Sequence, residues 1–165
     1  MKNYDKKEVS TGELFPLIKE VINHGHKARF TVSGNSMRPW IVDDRDQVLL
    51  TGSLKARLGD IILFQNTRGN YVLHRIMKKE KDGYHTMGDS CIKVDDDLIF
   101  SKDIIGVVEI IYRKGKEIDC NSFLWRFIFT LWRLLLPFRK ILLKLYYVLI
   151  RMNYEIADRK NSLGA

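Results

Sequence analysis

The sequence has little cysteine, no low-complexity linker and no long uninterrupted apolar run. Only two of its 165 residues are cysteines. This count excludes the disulfide framework of a small secreted protein and makes a reducing compartment the default expectation. The first ten residues are polar and no continuous apolar segment follows them, which argues against a secretory signal peptide. No run of about 18 uncharged apolar residues is present, which argues against an ordinary membrane-spanning helix.

Length and composition instead indicate one globular body. The chain is 45% hydrophobic and 29% charged, a balance that excludes a disordered or collagen-like protein. A length of 165 residues suits a single domain with a substantial core. The sequence contains no internal repeat of the kind that would indicate a repeat architecture.

The positive charge is unevenly distributed. The chain carries 28 basic and 20 acidic residues, a net charge of +8. Residues 1–122 contain 20 basic and 18 acidic residues, whereas residues 123–165 contain 8 basic and 2 acidic residues. Because the body has a net charge of only +2, we expect no nucleic-acid partner. The basic excess belongs to the C-terminal segment.

Apolar periodicity predicts a short helix followed by strands. Residues 11–24 have leucine, isoleucine and valine at helical spacing. Six later stretches are short and rich in β-branched and aromatic residues, which is typical of strands. These stretches are 28–32, 47–51, 61–65, 71–77, 83–87 and 104–112. Turn-like segments at 66–70 and 81–83 predict hairpins. The fold class is therefore mainly β, a compact body with a short N-terminal helix.

The sequence changes character at Phe123. Of the 28 residues from 123 to 150, 21 are apolar. At about 100° per residue, a row of basic side chains falls within about 40° on one helical face. The row comprises Arg126, Arg133, Lys140, Lys144 and Arg151. Only Arg139 falls on the apolar side, and Pro137 before it predicts a break between two helices.

A wide apolar face opposite a narrow basic face predicts an amphipathic helical tail lying in a membrane interface. We expect residues 123–151 to contact the lipid bilayer, with basic side chains reaching the headgroups. Two alternatives are that the segment packs on the β body or associates with a second copy. The predicted division is a body at 1–122, with its core at 28–112, and a membrane-associating tail at 123–165.

Ser36 is a candidate nucleophile. It lies in T-V-S-G-N-S-M-R-P-W-I, residues 31–41, between the end of a predicted strand and a turn containing Pro39. A hydroxyl on such a turn stands exposed on rigid backbone. A free serine is a poor nucleophile, so it needs a base within hydrogen-bonding reach.

His74 is the candidate base. It lies in Y-V-L-H-R-I, a predicted strand whose alternation places it on one face with Val72 and Ile76. A polar ring on an apolar face needs a partner, which either the backbone or a serine turn would supply. Imidazole is suited to general-base catalysis near neutral pH. Lys78 shares this face about 13 Å along the strand and is the alternative base.

A group of carboxylates, Asp89 and Asp95 to Asp97, follows the fifth predicted strand. One of them would accept a hydrogen bond from the second imidazole nitrogen. The alternatives are a turn closed by Asp89 with a solvated acidic loop, or a weak cation site. Because the spacing lacks the alternating ligands and central glycine of an EF-hand, and because His24 and His26 are typical of a helix cap, we predict no metal and no cofactor.

Four segments in order resemble the type I signal peptidases, within the wider clan that includes the self-cleaving SOS-type repressors. They are S-G-N-S-M-R-P around Ser36, G-D-I-I-L-F at 59–64, Y-V-L-H-R-I around His74 and M-G-D at 87–89. The resemblance covers roughly residues 28–112. It implies a signal-peptidase-like β fold and a serine endopeptidase activity.

The resemblance assigns roles by position. Ser36 matches the nucleophile, and its own amide would be one oxyanion-hole donor. His74 stands where bacterial members have lysine, so the chain resembles the Ser-His branch found in the endoplasmic reticulum and in archaea. In that branch an aspartate six residues beyond the one in the G-D pair completes the site, and Asp95 is six residues beyond Asp89.

Two further positions complete the predicted site. Asp96 and Asp97 directly follow Asp95 and are the alternatives to it. Gly34 stands where the Ser-His branch usually has a serine as second oxyanion donor, while the serine here is Ser33. Asp89, Asp96 and Gly34 are therefore supporting candidates only.

The resulting hypothesis is a membrane-associated serine endopeptidase that cleaves an extended signal or leader peptide after small residues. Because no N-terminal anchor is visible, we expect the catalytic body on the cytoplasmic face. The alternative is a catalytically inactive or self-processing module that holds a peptide in the same groove.

Overall fold

The computed structural model describes residues 11–52 and 56–163. In these ranges the chain forms three α-helices, α1 (Thr11–Asn23), α2 (Phe123–Leu134) and α3 (Arg139–Leu163). The strands are β1 (Ala28–Thr31), β2 (Gln47–Thr51), β3 (Ile61–Gln65), β4 (Tyr71–Lys79), β5 (Tyr84–Met87), β6 (Leu98–Ile99), β7 (Ile104–Arg113) and β8 (Lys116–Asp119). Short 3-10 helices lie at Ser101–Asp103 and Leu136–Phe138.

All eight described strands belong to one antiparallel sheet. Their order is β1-β2-β7-β3-β4-β5-β6, and β8 pairs with β7. The predicted hairpins join β3 to β4 and β4 to β5. The mainly β fold with a short N-terminal helix and C-terminal helices is confirmed.

The sequence patterns do not predict β6 or β8, for different physical reasons. β6 has two residues, which is too short to show alternation. β8 has the sequence K-E-I-D and lies beside β7, so it lacks the apolar character on which strand prediction depends. It is joined to β7 by Lys114 and Gly115, whose φ angles are 47° and 76°, as in a two-residue hairpin turn.

The two faces of β4 pack against different apolar clusters. Leu73 contacts the larger cluster, which includes Ile61 and Leu63 from β3. Val72 and Ile76 contact a smaller cluster formed with Ile62, Phe64, Tyr84 and Ile99. Successive side chains of a strand point to opposite faces, so His74 lies on the side of Val72 and Ile76, as predicted.

Helix α1 packs on the larger cluster. Ile18 and Ile22 are buried there. Phe15 stacks on Tyr71 of β4 with ring centroids 4.7 Å apart and meets Phe30 of β1 edge-on at 5.9 Å. The helix therefore spans the space between β1 and β4.

Helices α2 and α3 are separated at Pro137, as predicted, by the 3-10 helix Leu136–Phe138. Phe129 and Trp132 of α2 are buried, and both rings contact Trp40. Helix α2 thus packs on the β body. Among the described helices, none is both long enough and apolar enough to cross a membrane.

The basic side chains that were predicted to share one helical face do not all point in the same direction. Arg126 of α2 turns toward the body and forms an ion pair with Asp60, which corrects its expected position at a membrane surface. The reason is that the aromatic side of α2 packs on the body and carries Arg126 with it. Arg139, the residue that departs from the row, is only 1% exposed.

Candidate active site

Strand β4 holds His74 in a mostly enclosed position. Its side chain is 13% exposed, and its ring meets Phe64 of β3 edge-on with centroids 6.4 Å apart. Ile62 of β3 lies opposite in the sheet register. The apolar neighbours leave the two ring nitrogens as the polar atoms that need partners.

Asp95 supplies one of those partners. The Nδ1 atom of His74 lies 2.7 Å from Oδ2 of Asp95. The Thr86 hydroxyl donates to the same oxygen at 2.7 Å, and the Asp95 amide donates to the Thr86 carbonyl at 2.9 Å. Burial acts to raise the pKa of the Asp95 carboxyl, but the hydrogen bonds from His74 and Thr86 hold that pKa below its ordinary value. The carboxylate is therefore ionised at neutral pH and suited to orient the imidazole.

The two neighbouring aspartates point elsewhere. Asp96 pairs with Lys93 at 2.9 Å and its side chain is 84% exposed. Asp97 accepts a hydrogen bond from the Thr67 hydroxyl at 3.0 Å. Of the three consecutive carboxylates, only Asp95 contacts His74.

Ser36 lies in the turn between β1 and β2 and is half-buried. Its carbonyl oxygen accepts hydrogen bonds from the Ser90 amide at 2.8 Å and the Ser90 hydroxyl at 3.0 Å. The same hydroxyl also lies 3.0 Å from the carbonyl of Asn35. Ser90, in the turn after β5, thus fixes the backbone that carries the serine.

Gly88 brings Ser36 and His74 to the same place. A Cβ added to Gly88 would lie 2.7 Å from the Ser36 carbonyl oxygen and 3.1 Å from Nε2 of His74. The imidazole nitrogen that is not engaged by Asp95 therefore faces the serine turn across this glycine. Absence of a side chain at residue 88 permits the close approach.

The backbone of Gly34 holds the turn that leads to Ser36. Its φ is +99°, a conformation that glycine adopts readily, and its amide donates to Oδ1 of Asp43 at 2.8 Å. That N–H is engaged in holding the turn. The Ser36 amide, in contrast, has no acceptor in the described part of the chain, which leaves it available to an oxyanion.

Asp89 does not contact His74. It forms a two-fold ion pair with Arg75, with N–O distances of 2.8 and 2.7 Å, and both side chains are fully buried. Arg75 also donates to the Gly59 carbonyl at 2.8 Å. Because Arg75 follows His74 on β4, the pair ties the 87–89 turn to the strand that carries the imidazole. By these contacts, Asp89 holds the 87–89 turn in place beside β4.

The C-terminal helices close the back of this region. The Arg75 guanidinium lies over the Phe129 ring of α2, 4.2 Å from its centroid. Arg139 donates to the Trp132 carbonyl at 2.9 Å and contacts the Met87 sulfur at 3.8 Å. Burial lowers the pKa of Arg139. Two helices outside the predicted catalytic body thus support the turn that follows β5.

Sequence reasoning missed Thr86, Ser90, Arg75 and Arg139, because each acts through residues distant in the chain. Arg75 alone carried a usable signal. It lies on the opposite face of β4 from His74, among apolar neighbours, and a buried charge of that kind needs a carboxylate partner. Asp89 was available in the sequence as that partner.

Lys78, His24 and His85 contact partners outside the candidate site. A register shift between Ile76 and Lys78 interrupts the alternation of β4, and Lys78 pairs with Glu80 at 2.7 Å while remaining 69% exposed. His24 contacts the Glu20 carbonyl at 2.8 Å, as expected for a helix cap. His85 is half-buried, and its Nε2 lies 3.2 Å from a carboxylate oxygen of Glu80.

Two cavities lie on opposite sides of β4. One of about 690 Å³ includes His74 and Asp95 and has Phe64 and Val72 in its wall. The other, of about 450 Å³, lies between the β1 end and β4. It is lined by Phe30, Val32, Ser33, Gly34, Leu63, Tyr71 and Leu73, together with Leu14 and Phe15 of α1.

An antiparallel β body that holds a serine, an imidazole and a carboxylate in one region has the elements of a serine peptidase. The chain belongs to the Peptidase S24-like family, whose family model matches residues 2–108. The match covers more than half of the chain and includes Ser36, His74 and Asp95. Neither a curated protein nor a solved structure matches the chain.

Proposed function

We propose that the protein is a serine endopeptidase of the signal-peptidase type that cleaves an extended signal or leader peptide after small residues. One observation carries the proposal. His74 contacts Asp95 through Nδ1, while its Nε2 and the Ser36 backbone both approach Gly88. The carboxylate and imidazole are thus paired as nucleophilic catalysis by serine requires, and the free imidazole nitrogen faces the turn that carries Ser36.

The proposed reaction uses His74 as general base. Its Nε2 removes the Ser36 proton as Oγ attacks the scissile carbonyl, and the Ser36 amide donates to the developing oxyanion. The imidazolium then protonates the leaving amine. A water molecule activated by the same ring hydrolyses the acyl-enzyme. Asp95 stabilises the imidazolium and fixes the ring through Nδ1.

The open edge of β1 supports an extended substrate. β1 begins the strand order and pairs only with β2 in the described part of the chain. A peptide added along such an edge obtains backbone hydrogen bonds, and pockets beneath alternate side chains give selectivity. The cavity between β1 and β4 is lined by Phe30 of β1 and by Gly34, two residues before Ser36, whereas His74 and Asp95 line the cavity on the other side of β4.

The lining of that cavity supports small apolar residues before the cut. Its walls include Val32, Leu63 and Leu73, and the Gly34 backbone adds no side chain. Family resemblance gives small residues one and three positions before the scissile bond. Alternate residues of an extended peptide point the same way, so both would face this apolar wall.

Self-processing, or peptide holding without turnover, is the second candidate function. It is favoured by Leu14 and Phe15, since these residues of α1 line the same cavity. A segment of the chain itself therefore already contacts the proposed groove. Incubating the purified full chain and measuring its mass over time tests self-cleavage.

Cleavage of synthetic leader peptides by the full chain tests the proposed function. Matched peptides would carry alanine or leucine at the positions one and three residues before the cut. We expect cleavage of the alanine peptide only, and no cleavage by Ser36→Ala or His74→Ala. Ser101→Ala is the matched serine control and should retain activity, because Ser101 is exposed and lines neither cavity beside β4. Retained cleavage by both Ser36→Ala and His74→Ala would refute the mechanism.

A further inference from the structure

We propose that the outer apolar face of α2 and α3 is a docking surface for an anionic lipid bilayer. This surface, called here the outer face, consists of exposed side chains on both helices. They are Phe123, Leu124, Phe127, Leu131 and Leu134 of α2, then Phe138, and Ile141, Leu145, Val148, Leu149 and Met152 of α3. The proposal is independent of catalysis.

On α2 the outer face is separate from the packing face. At about 100° per residue, its five apolar residues fall within an arc of about 100°. Phe123 is 89% exposed and Leu134 is 67% exposed. Phe129 and Trp132, on the other side, are buried against the body. The outward residues therefore take no part in holding α2 in place.

On α3 the outer face continues and acquires a basic border. Its five apolar residues again lie within an arc of about 100°. Lys140, Lys144 and Arg151 are exposed and lie within about 40° of one another beside that arc. An apolar stripe bordered by lysine and arginine is the pattern of a helix that lies in a membrane interface.

The charge of this region selects a bilayer over a second copy of the chain. Of the basic residues in 123–165, Lys140, Lys144 and Arg151 are exposed beside the outer face, whereas Arg126 pairs with Asp60 and Arg139 is buried. Pairing two outer faces would bring their basic borders close together, and like charges repel. Anionic headgroups instead complement Lys140 and Lys144 while acyl chains cover the apolar stripe. Arg151, beside them, also pairs with Glu155 at 3.0 Å.

Docking would hold the candidate site at a fixed height above the bilayer. The inner face of α2 packs on Trp40, and Trp40 is four residues after Ser36. Arg139 at the start of α3 contacts Met87, just before Gly88. The helices that carry the outer face thus contact residues next to both turns of the candidate site.

Vesicle co-sedimentation of the full chain tests this surface. The probes are phosphatidylcholine vesicles with and without about one third phosphatidylglycerol. We expect binding to the anionic vesicles that weakens at high salt. Replacing Ile141 and Leu145 together by glutamate should reduce that binding by about ten-fold or more, because it places charges in the apolar stripe.

A matched variant controls for the added charges. Leu17 and Val21 are exposed apolar residues on α1, so Leu17→Glu with Val21→Glu should leave vesicle binding unchanged. Thermal melts establish that both double variants are folded. Equal loss of binding in the two variants, or no vesicle binding by the wild-type chain, would overturn the proposal. So would a stable dimer in solution that the Ile141 and Leu145 variant abolishes.

Discussion

Asp95 is held by two hydrogen-bond donors and presents its carboxylate to one imidazole nitrogen. His74 and Thr86 both lie 2.7 Å from the same oxygen. These contacts keep the pKa of Asp95 below its ordinary value despite burial. In the proposed reaction the carboxylate fixes the ring orientation and stabilises the imidazolium.

Asp95→Asn should therefore lower kcat for leader-peptide cleavage on the order of 10³- to 10⁴-fold. The amide would fill the same volume but carry no negative charge beside the imidazolium. Steady-state kinetics on the alanine peptide measures the effect. Asp96→Asn is the matched control, because Asp96 pairs only with exposed Lys93. A near-wild-type kcat for Asp95→Asn would contradict the role given to Asp95.

Gly88→Ala should impair catalysis through geometry alone. The new methyl group would lie 2.7 Å from the Ser36 carbonyl and 3.1 Å from Nε2 of His74, so one of them must move. A displacement of about 1 Å between reacting groups costs on the order of 10²-fold in rate. The kcat of the purified variant checks this.

Gly12→Ala supplies the control for the Gly88 variant. A Cβ at Gly12 meets no atom within 4 Å, and we expect unchanged kcat. Should Gly88→Ala retain full activity while remaining folded, Ser36 and His74 would not work across this glycine.

At the residue scale, the sequence indicated candidate reacting groups, but it did not indicate most of the residues that hold those groups in place. His74 was identifiable because strand alternation placed a polar ring on an apolar face. Asp95 followed from a resemblance that counts six residues from Asp89, and the structure places it 2.7 Å from His74. Thr86 and Ser90 were not predictable, since their hydrogen bonds join segments whose proximity only the folded sheet defines.

At the scale of elements, β4 is the member that organises the site. It presents His74 to one side and Arg75 to the other. The Arg75 ion pair with Asp89 fixes the turn containing Gly88, and breaking a buried pair by removing one partner typically costs about 3 to 5 kcal/mol. Position and chemistry thus come from adjacent residues of one strand.

Helix α2 covers that ion pair, and Phe129 carries the contact. Its ring is 3% exposed and lies under the Arg75 guanidinium. Phe129→Ala should lower the free energy of unfolding by about 3 to 5 kcal/mol, because it leaves a cavity beside a buried charge. Denaturant titration of the full chain measures this change.

Phe127→Ala is the control for that prediction. Phe127 is on the same helix but 59% exposed, so its loss should change stability by about 0.5 kcal/mol or less. Equal destabilisation by the two substitutions would mean that α2 does not pack as described.

Sequence patterns were sufficient to predict the bounds of α1 and the break between α2 and α3. The predicted helix at 11–24 corresponds to α1 (Thr11–Asn23), and Pro137 correctly separates α2 from α3. The outward position expected for Arg126 was wrong, because a helical projection gives angles but not which side meets the body. Packing of the aromatic side of α2 on the body brings Arg126 to Asp60, which lies far away in the sequence.

For the whole molecule, the basic excess and the apolar surface coincide in the C-terminal helices. The β body belongs to a peptidase family, and its back is closed by α2 and Arg139. Sequence placed the charge and the apolar residues correctly in 123–165. It did not reveal that the same segment supports the 87–89 turn, because that contact depends on tertiary packing.

The central claim is that Ser36 is a nucleophile activated by His74. Labelling the full chain with a fluorophosphonate, followed by mass mapping of the modified peptide, tests it most directly. We predict a single adduct on Ser36 that is absent in Ser36→Ala and strongly slowed in His74→Gln. An adduct on another residue, or equal labelling of Ser36 in wild type and His74→Gln, would contradict the account.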